Sequence, residues 1–413
     1  MKIVTVDWRS YGDYSAVGQL TKKIFSCGPD LAVHSIQIDE NNAAATIRDE
    51  CNPSTGAIVI ALDNVESLDE CVAKITPDYI YVRLSPNLAV LEFAARLARR
   101  NEYRLITHYM DAPASFDLTP SDVLNLERLY RHVISSSSYT CVIHESVVEE
   151  FHQRYGVVPE VVGNFFDDAP RLRRYLCSSA TGVVTIRYFG GIDYKMNASA
   201  LYEFCSVIGK IPWASFEIYS NSGINKEMRG ILNEFNNIKV LPSNLDEAAY
   251  QMALSGADVL MLAYNWDAKS VDYLKHSFSN KILDYISTGV PIIAVGPMGI
   301  PSIDLFICLD LGLVASSRSD IEGLMSDKAC FIHQLNTKTQ ESYDRLIDFA
   351  RSRKANLDKF LSKLENGLSE SVGAVSERYA TTQRKEDSNF RKCLDYFNRR
   401  RSAFVVSNNS RVK

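Results

Sequence analysis

Short apolar runs alternate with amphipathic stretches along most of this chain. In the first half, KIVTV (2–6), LAVHSIQI (31–38), AIVIAL (57–62), DYIYVRL (78–84), YRLITHY (103–109) and YTCVI (139–143) read as buried strands. Helical periods separate them. The clearest covers 87–100, where Leu88, Val90, Leu91, Phe93, Ala94 and Leu97 share one face, and another covers 145–155. Residues 158–168 (VPEVVGNFFDD) close this half, and 169–182 carry no clear period. A second alternation follows. Its strands are VVTIRYFGG (183–191), FEIYS (216–220), IKVL (238–241), DVLMLAY (258–264) and VPIIAV (290–295), with helices over about 197–209, 246–256 and 279–288. Strand–helix alternation implies a parallel sheet covered by helices on both faces. The expectation is therefore an α/β protein with two doubly wound domains: 1–168, a linker at 169–182, and 183–335. Residues 336–413 differ. Tyr343, Leu346, Ile347, Phe349, Leu357, Phe360, Leu361 and Leu364 at helical spacings predict one or two long helices, followed by a frayed tail.

Composition agrees with two domains. The 413 residues are 46% apolar, enough for two cores, and the formal charge of −5 argues against a general nucleic-acid surface. No apolar run approaches the roughly 18 residues of a membrane span. The opening MKIVTVD is broken by Asp7, so it does not read as a signal peptide. Nine cysteines without a CxxC pair read as free thiols in a reducing cytoplasm. The basic amphipathic segment 384–401 (RKEDSNFRKCLDYFNRRR) has two readings. It is a helix packed on its own protein, or a peripheral contact with anionic lipid at the cytoplasmic membrane face.

Two places carry candidate chemistry. Gly190 and Gly191 end the first strand of the second alternation, where α/β sheets bind ligands, and glycine lets backbone approach a phosphate. Lys195 follows as a point charge. The GxGxxG fingerprint is missing, so a nicotinamide or flavin site is not indicated. The second place is HSFSNKILDYISTGVPIIA (276–294), a short helix stopped by Gly289 and Pro291. Its start is expected near Ser277 or Ser279, since serine is a favoured N-cap. Ser279, Asn280 and Lys281 offer donors and charge for an anion. Asp284, one turn on, suits the vicinal hydroxyls of a ribose. The blander alternative is a surface ion pair between Lys281 and Asp284.

FSNKILDYISTGVPII resembles the donor-site motif of group-1-type GT-B glycosyltransferases, Lys–x–x–acid–Tyr–x–x–x–Gly–x–Pro. YFGGIDYK is similar to the strand–glycine–Lys segment that opens the family's nucleotide domain. GADVLMLAY is similar to its Ala-Asp-Val strand, VVGNFFDD to the Asn segment that ends its acceptor domain, and DYIYVRL and LITHYMDAP to two acceptor-domain strands. The resemblance implies two Rossmann-like domains facing across a cleft (GT-B), the second holding a nucleotide sugar and the first a glycan or lipid-linked acceptor. It places Gly190, Gly191, Lys195, Ser279, Asn280 and Lys281 at the diphosphate and Asp284 at the ribose. Two positions depart from the pattern. Gly191 stands where the family often has Arg. His276 stands where it often has a Glu that contacts the donor sugar, which leaves the retaining mechanism open.

On the acceptor side, Asp13, His108 and Asp111 lie just beyond expected strand ends and are the candidate general bases, each with a turn, cap or core role as its alternative. Arg83 is a candidate for an acidic acceptor group or for a structural ion pair. No Asp-x-Asp and no ligand-spaced histidines are present, so no metal and no cofactor beyond the nucleotide-sugar co-substrate is expected. Three functions remain open: a cytoplasmic glycosyltransferase, a nucleotide-sugar 2-epimerase on the same architecture, and a catalytically silent nucleotide-sugar-binding protein.

Overall fold

A computed structural model describes residues 1–12, 16–26, 30–39, 41, 43–100, 103–110, 119–165, 182–223 and 225–369. The first half runs β1 (Lys2–Asp7), α1 (Ala16–Ile24), β2 (Ala32–Asp39), β3 (Ala44–Asp49), β4 (Ile58–Ala61), α2 (Val65–Ile75), β5 (Tyr79–Leu84), α3 (Leu88–Arg99), β6 (Arg104–Tyr109), α4 (Pro120–Ser135), β7 (Tyr139–Val142), α5 (Val148–Tyr155) and β8 (Glu160–Val161). The second runs β9 (Val184–Phe189), α6 (Ala198–Ile208), β10 (Ala214–Tyr219), α7 (Lys226–Glu234), β11 (Ile238–Leu241), α8 (Glu247–Ser255), β12 (Val259–Ala263), α9 (Ala268–Leu274), α10 (Lys281–Thr288), β13 (Ile292–Val295), α11 (Pro301–Cys308), β14 (Leu313–Ala315), α12 (Arg318–Leu324) and α13 (Lys328–Ser369).

The strands form two sheets. The first has the order β4-β3-β2-β1-β5-β6-β7-β8 and the second β11-β10-β9-β12-β13-β14. Every pairing in the second sheet is parallel. The chain starts that sheet in the middle, at β9, builds outward through β10 and β11, then returns to β12 on the other side. In open α/β sheets such a reversal marks where ligands bind, beyond the carboxyl ends of the strands, here those of β9 and β12.

The first sheet departs from the all-parallel expectation, because β2, β3 and β4 form an antiparallel meander. Only four residues separate β2 from β3, far too few for a crossover helix. Each sheet is packed by helices over its own core. One core is centred on Val4, Val6, Ile80, Val82, Leu91 and Tyr130, the other on Ile186, Leu201, Phe204, Phe216, Met261 and Phe331.

Local signals explain the element ends. Asn87 caps α3 by accepting from the Val90 amide. Thr119 caps α4 ahead of Pro120 at its first turn. The expected long C-terminal helix is a single 42-residue element, α13. The chain divides into two compact units, Met1–Leu361 and Ser362–Lys413, and both sheets belong to the first. In the second unit only the end of α13 lies among the described residues, and the basic segment 384–401 lies outside them.

Among the described residues no helix is long and apolar enough to cross a membrane. Cys51 is held in a disulfide, which corrects the reading of every cysteine as a free thiol, while Cys71, Cys141, Cys205, Cys308 and Cys330 are free.

Candidate functional site

The site is built on the end of β9. Tyr188 is enclosed there. Its hydroxyl donates to the Gly191 carbonyl (3.0 Å) and accepts from Asn197 Nδ2 (2.7 Å). These bonds fix the turn that follows. Gly190 has φ +143°, a backbone conformation that side chains avoid. A Cβ at Gly190 would collide with the Lys281 ammonium and lie 2.8 Å from its Cε. The glycine therefore provides both the turn and the space in which the lysine lies. Most amides of the turn are used: Gly190 N–H donates to the Tyr219 carbonyl, Ile192 N–H to Ser222 Oγ, and Lys195 N–H to Asp193 Oδ1. The exposed Gly191 N–H has no acceptor among the described residues.

Lys281 opens α10 and reaches back to this turn. Its Nζ lies 3.4 Å from the Tyr188 hydroxyl and 4.8 Å from the centre of the Tyr188 ring. Among the described residues no carboxylate pairs with it. Burial lowers its pKa from 10.5 to about 8, because desolvation disfavours the charged form. An ammonium packed into a strand-end turn, beside a free amide and without a counter-ion, is a site that attracts an anion.

The helix begins differently from expectation. Asn280 stands at the N-cap with helical dihedrals and no side-chain capping bond, so neither Ser277 nor Ser279 caps it. The Ser279 amide donates to Ser302 Oγ (3.0 Å). The expected stop is present: Gly289, at φ +67°, donates to the Ile286 carbonyl.

Asp284 shares the face of Lys281, yet the two form no ion pair. Asp284 Oδ1 instead receives Lys23 Nζ from α1 at 3.0 Å and Asn164 Nδ2 at 3.3 Å. Asn164 also donates to the Asn280 carbonyl (2.7 Å) and accepts from Lys23 (3.1 Å). The first half of the chain therefore touches the candidate donor helix directly. Sequence reading assigned no role to Lys23 or Asn164. The Asn signal was present in VVGNFFDD, but nothing in the sequence marks Lys23.

Other candidates sit elsewhere. Lys195 is exposed on the turn. His276 is buried, with Nε2 3.2 Å from Glu150 Oε1 on α5, and desolvation lowers its pKa against the pull of Glu150. His108 is fully enclosed. Its Nδ1 meets the Tyr81 hydroxyl at 2.7 Å, and burial lowers its pKa to about 3. It is a neutral core histidine without access to an acceptor, which corrects its candidacy as general base. Arg83 is a structural ion pair, with Nε and Nη2 each 2.7 Å from the Asp7 carboxylate. Asp13 and Asp111 lie outside the described residues. At the carboxyl end of β1 a hollow of about 10 Å³, roughly the room of one water molecule, is bordered by Asp7, Ser10, Tyr11, Thr21 and Tyr81. Among the described residues no cluster of His, Cys, Asp and Glu could hold a metal ion.

A further cluster ties α13 to the first half. Arg353 is 2% exposed. It donates to the Ile143 carbonyl (3.0 Å), and its Nη2 lies 2.9 Å from Glu145 Oε2. Beside it, His144 stacks on Phe278, two residues before Asn280, at a centroid distance of 4.2 Å.

No protein-family model matches the chain, and no curated sequence matches it. Solved structures do. HepE of Anabaena in complex with UDP matches with a TM-score of 0.58 at 12% identity, over 89% of this chain and 100% of that one. Sucrose-phosphate synthase from Thermosynechococcus elongatus gives 0.56 at 12% identity, over 90% and 100%. An alpha,alpha-trehalose-phosphate synthase (UDP-forming) from Burkholderia xenovorans, in complex with glucose-6-phosphate, gives 0.57 at 10% identity, over 88% and 99%. The two sheets, their connection order and this coverage show that the chain has the GT-B fold.

Proposed function

We propose that this protein is a glycosyltransferase that moves a sugar from a UDP-sugar donor to a glycan or lipid-linked acceptor. The observation that carries the reading is the Lys281 ammonium, packed against Gly190 at the end of β9 with no counter-ion among the described residues. A diphosphate fits that position. Lys281 and the Gly191 amide would bind its oxygens, and Lys195, Ser279 and Asn280 would complete the cradle. As the glycosidic bond breaks, charge grows on the leaving UDP, and a preorganised cation there stabilises the transition state more than the ground state. Asp284 would hold the ribose. Charge neutralisation would come from lysine and backbone, without a metal. The fold shared with HepE in complex with UDP, and with a UDP-forming synthase, favours uridine as the base.

The test is a binding and turnover screen of UDP-, GDP-, dTDP- and CMP-sugars with the full chain. Binding of a UDP-sugar, slow release of UDP, and loss of both in Lys281→Ala are expected. A chain that neither binds nor consumes any UDP-sugar overturns the proposal. Interconversion of a UDP-sugar without acceptor or hydrolysis would replace it with an epimerase, and binding without any turnover would replace it with a silent sensor.

A further inference from the structure

We infer that Lys23, with Asn164, is a positioning residue for the ribose-binding carboxylate of Asp284, so that the donor site is completed by the first half of the chain. The inference rests on the proposed reading of α10 as a donor helix. Lys23 Nζ and Asn164 Nδ2 both bind the same oxygen, Oδ1, at 3.0 and 3.3 Å. Oδ2 has no hydrogen bond among the described residues, and the Asp284 side chain keeps 24% of its surface exposed. A carboxylate has about four acceptor directions. Two are filled on Oδ1 by the first half, and those on Oδ2 are left for sugar hydroxyls. The arrangement is over-determined. Lys23 also binds Asn164 Oδ1, Asn164 donates to the Asn280 carbonyl at the head of α10, and the Phe165 amide donates back to Asn164 Oδ1 (2.9 Å). Asn164 is 5% exposed, so the bridge is anchored in the protein.

The experiment compares UDP with 2′,3′-dideoxy-UDP, which keeps the diphosphate and base but lacks the diol. Both are titrated calorimetrically into the full chain and into Lys23→Met. Loss of a charged hydrogen bond that orients Asp284 should weaken UDP about tenfold. Dideoxy-UDP binding should change by less than about twofold, because Asp284 has nothing there to hold. Lys281→Met should weaken both ligands alike, and Lys23→Arg should restore UDP binding. Equal losses for the two ligands in Lys23→Met would assign Lys23 to the diphosphate or to folding and overturn the inference alone. Tighter UDP binding in Lys23→Met would make Lys23 a competitor for Asp284 and overturn it as well. Absence of UDP binding by the unaltered chain overturns the proposed function and this inference with it. If Lys23→Met does not fold, Asn164→Ala removes the second hydrogen bond and is read by the same pair of ligands.

Discussion

Replacing Lys281 by Met should change binding and stability in opposite directions. The lysine is packed between Gly190 and Tyr188 with no counter-ion among the described residues, and burial lowers its pKa from 10.5 to about 8. That difference corresponds to about 3 kcal/mol of unfavourable free energy in the charged folded state. The side chain keeps some contact with water, so the expected cost is about 1–3 kcal/mol. Met has similar length, carries no charge and packs well on an aromatic ring. Lys281→Met should therefore raise the melting temperature of the ligand-free protein at pH 7 by about 1–4 °C.

The sign with pH follows from proton binding. Below pH 8 the amine is charged in both folded and unfolded chains, and the full cost is present. Between about 8 and 10.5 the unfolded chain binds more protons, so wild type gains stability as pH rises. The gap between wild type and variant should narrow from pH 7 to pH 9.5. The same variant should lose at least about a hundredfold in UDP-sugar affinity or turnover, the order expected when a charge on the transition-state anion is removed. Differential melting at both pH values, with titration of a UDP-sugar, measures both effects. A variant that melts below wild type at pH 7, or a gap that stays constant with pH, refutes the assignment of Lys281 as a desolvated cation kept for function.

Other expectations follow from the same geometry. UDP affinity of the wild type should be level below pH 8 and fall above it, approaching tenfold per pH unit, as Lys281 loses its proton; isothermal titration across pH 6.5–9.5 reads this directly. Gly190→Ala places a Cβ on the lysine and strains a φ of +143°, at a cost of about 1–3 kcal/mol. Melting should detect that cost, and donor binding should fall with it. Arg353→Ala leaves Glu145 half-enclosed without its partner and should destabilise by about 3–5 kcal/mol, measured by thermal or denaturant unfolding. His276→Gln keeps a donor toward Glu150, so donor KM should stay within about twofold if His276 is a structural contact. A larger rise in KM for the donor would return His276 to the sugar.

Much of the architecture was legible because parallel strands buried on both faces are nearly continuous apolar runs. DVLMLAY and VPIIAV could hardly be anything else, and β12 and β13 fall inside them. The strands that escaped notice are short or polar. β3 reads AATIRD, with one large aliphatic residue, and β8 and β14 have two and three residues. Such elements are held by their neighbours more than by their own composition. The candidate site divides in the same way. The glycine pair and the Lys–x–x–Asp spacing are local and could be read as chemistry. The partners of Asp284 and His276 could not, because Lys23 is 261 positions from Asp284 and Glu150 is on another helix of the first half. His108 looked available because it ends a strand. Strand ends in a sheet flanked on both edges can still be closed over, and only packing shows which are.

The link between Arg353 and the Ile143 carbonyl spans 210 positions, and during synthesis that separation becomes a delay. At translation rates of about 5–20 residues per second, roughly 10–40 s pass between the emergence of Ile143 and that of Arg353. For that interval the first sheet can assemble with the Glu145 carboxylate and the Ile143 carbonyl still hydrated and without their guanidinium. The last stretch of α13 then arrives as the closing piece of a structure begun long before it. A ribosome stalled before residue 353 would hold Ile143 and Glu145 without the guanidinium that fastens them.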